Sequence, residues 1–269
     1  MNRRRNEYLE GVLLSFQFFT ILPIKKELAM EKKQLQTAVQ SFPFIGLVLG
    51  LIGSAVLYVL QEFSNFSVLA ISFFFFLIGI FLTGGIHLDG WMDCNDAYFS
   101  YQSIEKRLEI MKDPRTGAFG VLAVMLLLGT RFLFVYESII MFSAFDYFYF
   151  LLIPILSRMS LGYMLASTRS AKKEGLAYFF QKGLAKNKVY LTYFLILLCI
   201  ILFSLWIHPV MIGYVFLLVS SAVLYTFWAK RFAKRNYGGI TGDVLGATVE
   251  GGEAFLWMIV WLLHYSVMG

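Results

Sequence analysis

Charge is scarce in this chain: only 15% of its 269 residues are Asp, Glu, Lys or Arg. Cysteine is scarcer still, with two in all. Cys94 stands in an acidic stretch and Cys199 in an apolar run, so no disulfide framework or cysteine zinc site is expected. No Pro- or Gly-rich linker, low-complexity segment or fixed-period repeat divides the chain, and residues 1–269 read as one domain. No small-residue cleavage site follows the opening Met-Asn-Arg-Arg-Arg, which argues for a retained segment rather than a signal peptide. What fills the chain is apolar: 59% of residues are hydrophobic, Phe alone accounts for 28 of them, and the mean hydropathy is +0.70. A soluble domain of this length has no interior large enough for that surface, so the composition points to a polytopic membrane protein.

Apolar runs long enough to cross a bilayer lie near 38–60, 66–86, 117–137, 147–167, 190–207 and 210–229, with a shorter one at 253–268. A further run, 8–24, is interrupted by Gln17, closed by Pro23 and flanked by basic residues on both sides, which suits an interfacial or re-entrant helix. The expectation is therefore an all-α integral membrane bundle of about seven spans plus an N-terminal interfacial helix.

Basic residues orient it. If the N-terminus is cytoplasmic, 21 of the 23 Lys and Arg fall on cytoplasmic segments, and the external turns near 61–65, 138–146 and 208–209 hold none. This predicts a multi-pass protein of the cell membrane with its N-terminus inside and its C-terminus outside. The net charge of +6 is thus accounted for by topology; the expected surroundings are a lipid bilayer, and no nucleic acid is implied. Self-association is compatible with the sequence but not specified by it. The two remaining cations, Arg131 and Arg158, lie within apolar runs, where charge faces a polar cavity or a partner. Arg158, in a span returning toward the cytoplasm, is placed to reach a phosphate. Arg131 either snorkels outward or pairs structurally.

Acids gather in three places, all on the predicted cytoplasmic side. The stretch HLDGWMDCND carries Asp89, Asp93 and Asp96. Spaced i, i+4 and i+7, they share one stripe within roughly 60° on a helix. Three carboxylates so placed repel one another unless a cation sits among them, and hard oxygen ligands select magnesium or a similar ion. The stretch EIMKDPRTGAFG adds Glu109, Lys112, Asp113, Arg115 and Thr116, and GGITGDVLGATVEGGE adds Thr241, Asp243, Glu250 and Glu253. Asp243 and Glu250 are seven apart and share a helix face, with Gly246 between them allowing close approach. Flanking glycines leave backbone N–H groups free to approach phosphate oxygens. Lys112 and Arg115 supply cations that metal binding alone does not require. Metal, phosphate and basic side chains together describe phosphoryl transfer. Simpler roles stand beside these. Asp89 could be a solvated helix cap, His87 a hydrogen-bonded interfacial side chain rather than a ligand or base, and the basic run at 230–235 a topology signal.

The three motifs, in this order and spacing, resemble the cobalamin synthase family, also called adenosylcobinamide-GDP ribazoletransferase. FFTILP, FPFIGLVLG and LSRMSLGYMLAS around Arg158 extend the resemblance over nearly the whole chain. It implies a magnesium-dependent polytopic enzyme late in cobalamin biosynthesis. Such an enzyme joins adenosylcobinamide-GDP to alpha-ribazole or its 5'-phosphate, with release of GMP. By motif match, Asp89, Asp93 and Asp96 are the expected catalytic acids and metal ligands. Asp113, Asp243 and Glu250 complete the expected acidic site, and Lys112, Arg115, Arg158 and Thr241 are expected to hold substrate. Trp91-Met92 and Cys94-Asn95 depart from the Leu-Ala and small residues the family favours there.

Two rival enzyme classes carry related acid clusters. A CDP-alcohol phosphotransferase would show Ala-Arg two residues after Asp-Gly, and none follows Asp89-Gly90. A prenyltransferase would show a second Asp-rich motif, which TGDVLGATVE is not. A transporter would favour ionisable groups at mid-membrane, and a scaffold has no use for clustered acids.

Overall fold

Twelve helices account for the described residues, 2–141, 143 and 146–268 of a computed structural model, with one isolated β-bridge between Ser170 and Ile240. An N-terminal helix, α1 (Asn2–Phe19), is followed by the short α2 (Lys32–Gln40). Six helices are long and apolar enough to cross a membrane. They are α3 (Phe42–Phe63), α7 (Ala118–Ile140), α8 (Tyr147–Ser167), α10 (Lys186–Ile207), α11 (Met211–Tyr237) and α12 (Gly242–Met268). A seventh passes the same test only as a bent pair, α4 (Val68–Thr83) with α5 (Ile86–Phe99). Short helices α6 (Ile104–Ile110) and α9 (Gly175–Gln181) complete the set.

Helix α8 is the axle of the bundle. The most apolar stretch of α8 is 83% buried, whereas that of α10 is 11% buried. A helix that is apolar all round and unburied is solvated by lipid, so α10 lies at the periphery. The aromatic richness packs the interior by edge contacts, for example Phe75 against Phe150 and Phe150 against Trp257, with ring centroids 4.8 and 4.9 Å apart.

Two features differ from the linear reading of hydropathy. The run 66–86 is not one straight span. Ser67 caps α4 by accepting the Ala70 N–H, and the helix ends where Gly84 and Gly85 adopt φ of +64° and +71°. Consecutive left-handed residues are cheap only for glycine, and they turn the chain by 85° into α5. The last span, in turn, is not short: α12 begins at Gly242 and has 27 residues, so the third acid-bearing motif is its opening turns rather than a loop before it. Glu250 and Glu253 depress the hydropathy there without breaking the helix, because both are neutralised by buried arginines.

By connectivity, α3, α7, α10 and α12 begin, and α4, α8 and α11 end, at the same side of the bundle. The short helices α2, α6 and α9, with α5, pack around those ends. At the other side, His264 of α12 contacts Asp146 before α8 at 3.1 Å, and Tyr265 donates to Glu137 of α7 at 3.2 Å.

Candidate active site

The bend at Gly84–Gly85 aims α5 along the opening turns of α12. Contact is backbone to backbone. A Cβ on Gly246 would meet the His87 Cα at 3.1 Å. Gly246 therefore admits α5, rather than bringing Asp243 and Glu250 together. Trp91 donates its indole N–H to the Ala123 carbonyl of α7 at 3.1 Å, and Tyr237, closing α11, donates to the Cys94 carbonyl at 2.8 Å. Helix α5 is thus held on three sides.

Beside it lies a cavity of about 370 Å³. Its polar wall is made by His87 and Asp89 of α5, Lys112 after α6, Lys172 and Glu174 before α9, and Thr241 and Asp243 at the head of α12. Its apolar floor includes Phe19, Phe42, Phe180, Leu161 and Leu165. Residues from all three acid-bearing motifs therefore meet in one space. A larger cavity of about 890 Å³, between α5, α7, α11 and α12, is lined by Trp91, Phe119, Leu126, Tyr225 and Phe255 among others and by no charged side chain. It offers no cation with which to hold a phosphate.

Thr241 shapes the α12 end of the site. Its hydroxyl accepts the Val244 N–H at 3.2 Å, as a helix cap does, and contacts Asp243 Oδ2 at 3.2 Å. The positive end of the α12 dipole therefore opens on the cavity, and favours anions there. Asp89 is exposed at the cavity wall, while Asp93, half-buried one turn on, faces the negative charges of Asp89, Asp243 and Asp96. His87 is buried, stacks on Phe19 with centroids 5.8 Å apart, and its Nε2 has no hydrogen-bond partner among the described residues.

Other predicted site residues are engaged elsewhere. Asp96 accepts the Gly117 and Gly120 N–H groups, both at 2.7 Å, one on each carboxylate oxygen. It thereby caps α7 and locks α5 to it. Asp113 accepts from Arg115 Nε at 2.9 Å, from Arg115 Nη2 at 2.6 Å and from the Arg115 backbone N–H at 3.0 Å. That guanidinium holds the Asp113 carboxyl down at about 2, and neither residue lines the cavity. Glu250 and Arg158 belong to a buried cluster deeper in the bundle. Arg131 Nη1 donates to Glu250 at 2.6 Å and lies 3.5 Å from Glu253, and Arg158 also donates to Glu253. Ser157 joins by donating to Glu253 at 3.0 Å. Of the two sequence-level options for Arg131, the structure shows the structural pair.

Lys172 and Glu174 were not singled out by the sequence motifs. Lys172 counted only toward topology, and no spacing rule joins it to residues sixty or more positions away. The bridge at Ser170–Ile240 brings it in: the Ala171 N–H donates to the Ile240 carbonyl at 2.9 Å and the Ile240 N–H to the Arg169 carbonyl at 3.0 Å. Gln181 of α9 steadies this strap, accepting the Ser170 N–H at 3.0 Å and donating to the Leu165 carbonyl at 2.7 Å.

The donor set suits magnesium. Among the described residues no group of three or more His, Cys, Asp or Glu side chains is placed to hold a metal ion unaided. Magnesium, however, binds through one or two carboxylates plus substrate phosphates rather than in all-protein cages. Asp89 and Asp243, on facing helices beside a cation-lined wall, fit that mode.

The family described as Cobalamin-5-phosphate synthase matches residues 11–261. A Geobacillus sp. (strain WCH70) protein named adenosylcobinamide-GDP ribazoletransferase is 38% identical over 263 residues, covering 96% of this chain and 97% of its own. Proteins of the same name from Geobacillus kaustophilus (strain HTA426) and Clostridium tetani (strain Massachusetts / E88) are 37% and 31% identical, each over 96% of this chain and 98% and 99% of theirs. No solved structure matches. With the family matched across most of its length and relatives of this identity end to end, the chain belongs to the cobalamin-5-phosphate synthase family of membrane transferases.

Proposed function

We propose that the chain joins adenosylcobinamide-GDP to alpha-ribazole, or to its 5'-phosphate, in the 370 Å³ cavity, releasing GMP. The observation that carries this reading is the meeting of Asp89, Lys112 and Thr241–Asp243, from three separated motifs, around one polar space. Phosphoryl transfer asks little covalent chemistry of a protein; it asks for positioning and charge neutralisation. Asp89 and Asp243, with Asp93 behind them, would hold magnesium, which when bound neutralises phosphate oxygens and orients the diphosphate.

The remaining steps belong to the chain's own groups. Lys112 and the N-terminal turn of α12 hold the diphosphate, and the apolar floor accommodates non-phosphate parts of the substrates. A ribazole hydroxyl oxygen forms a bond to the phosphorus nearer the corrinoid. The bond from that phosphorus to the bridging oxygen breaks, GMP departs with the bridging oxygen, and the hydroxyl proton passes to a cavity carboxylate. The hydrophilic end of the bundle is the cytoplasmic one on this reading, since the basic clusters at 106–115, 169–188 and 230–235 all fall there.

Membranes bearing the chain, given adenosylcobinamide-GDP, alpha-ribazole and magnesium, are expected to yield GMP and a cobalamin product in equal amounts. Absence of both, with release of CMP or pyrophosphate from another donor, would replace this reading with a CDP-alcohol phosphotransferase or prenyltransferase.

A further inference from the structure

The strap between α8 and α9 carries a feature that the three motifs do not explain. Lys172, half-buried, points its ammonium to the Leu108 carbonyl at 2.8 Å. Lys112 is ion-paired with Glu174. Both lysines and Glu174 line the cavity together with Asp89 and Asp243. The carboxylates of Asp89 and Asp243 come from α5 and α12, the ammoniums of Lys172 and Lys112 from the strap and the loop after α6, and Glu174 adds one carboxylate on the strap beside Lys112.

We propose that Lys172 and Lys112 form a two-lysine clamp for the diphosphate, and that Glu174 is the resident anion which the diphosphate displaces from Lys112. The proposal rests on the phosphoryl-transfer reading for its substrate and adds residues to it. Three observations support it. Lys172 makes its hydrogen bond to a neutral carbonyl, and the negative charges that act on it, Asp243 and Glu174, form no ion pair with it. Burial, and then the neighbouring Lys112, push its pKa down, and an anion between the two ammoniums offsets their mutual repulsion. The Lys112–Glu174 pair is more than half exposed on both partners, and such pairs are weak. A multiply charged diphosphate accepts several charge-assisted hydrogen bonds where a carboxylate at the surface offers one contact. Arg115, bound to Asp113 and facing solvent, is not available for this exchange without leaving its partner.

Displacement also gives the strap a task in the reaction cycle. With Glu174 on Lys112, the strap is tied to the loop after α6 at the cavity wall. With diphosphate in its place, that ion pair is lost, and the Lys172–Leu108 hydrogen bond remains between the strap and α6.

The test is binding of magnesium and inorganic pyrophosphate to the full chain in lipid nanodiscs, by calorimetry. Lys172→Ala should weaken pyrophosphate roughly tenfold or more, and Lys172→Arg, which keeps the charge, should retain most of the affinity. Glu174→Gln should tighten it roughly twofold to fivefold, because Lys112 no longer has a competitor. Lys26→Ala, whose exposed partner is Glu10, should leave it unchanged. A purely structural Glu174 would weaken binding when replaced, so the sign of that variant separates the two roles and a weakening overturns the proposal. So does wild-type affinity in both Lys172→Ala and Glu174→Gln, or no binding of pyrophosphate by the wild-type chain. The readout needs no corrinoid. If the variants shift pyrophosphate affinity as stated while no cobalamin product forms, the clamp stands and the assigned substrates fall. If product forms and the variants change nothing, the reverse holds.

Discussion

Gly90 lies against the backbone of Asp243: a Cβ on Gly90 would sit 2.8 Å from the Asp243 Cα and 2.7 Å from its carbonyl oxygen. Neither atom can swing aside as a side chain would. Gly90→Ala must therefore move α5 away from the head of α12, and with it Asp89 away from Asp243. A shift on the order of 1 Å at a reacting centre costs about a hundredfold in rate. The expected outcome is a fall in kcat of that order with membrane insertion retained. Gly129→Ala, where a Cβ meets nothing within 4 Å, is the control. Equal activity of the two variants would show that the approach of the helices does not matter.

Chelation should silence turnover, and added magnesium should restore it. Asp243→Asn should raise the magnesium concentration needed for half-maximal rate, while Asp89→Ala should abolish turnover at any concentration without loss of folded protein. Full activity of Asp89→Ala in a magnesium titration would remove that residue from the site.

Asp96 answers a different question. Its two oxygens satisfy two N–H groups at the start of α7, and an α-helix leaves such donors unpaired unless a side chain reaches them. Asp96→Ala should cost about 1–3 kcal/mol of stability through the unsatisfied donors, read as a lowered unfolding temperature. An activity defect with no change in unfolding temperature would instead place Asp96 in the chemistry.

The buried pair of Arg158 and Glu253 makes a further prediction. Removing one partner leaves an uncompensated interior charge, at about 3–5 kcal/mol, whereas replacing both by apolar residues of similar volume is far milder. Arg158→Met or Glu253→Met alone should give little monodisperse protein in detergent, and the double variant should recover much of the yield. A double variant as poor as the singles would contradict the assignment.

Most crossing helices were legible because hydropathy and helix length coincide in them. The runs at 38–60, 117–137, 147–167, 190–207 and 210–229 fall within or close to α3, α7, α8, α10 and α11. The motif acids were legible too, since carboxylates in an apolar chain stand out. Two things were less so. The extent of α12 was hidden by Glu250 and Glu253, whose charges read as a boundary until Arg131 and Arg158, more than ninety residues away, are seen to cancel them. The strap with Lys172 was hidden because tertiary pairing at Ile240, not spacing, delivers it. A Gly-Gly pair ahead of the acid stripe was the one local sign that the run at 66–86 would turn.

The Arg131–Glu250–Glu253–Arg158 cluster also has a meaning for how the chain enters its membrane. Of the six crossing candidates, α12 is the least apolar, with a hydropathy of 1.2 in its best window. Alone in lipid it would carry two unpartnered carboxylates. The arginines that receive them sit on α7 and α8, which precede it in the chain. The charges of α12 are therefore matched only by helices that precede it in the chain, so α12 settles in the bilayer against α7 and α8, and the α12 side of the cavity forms after them.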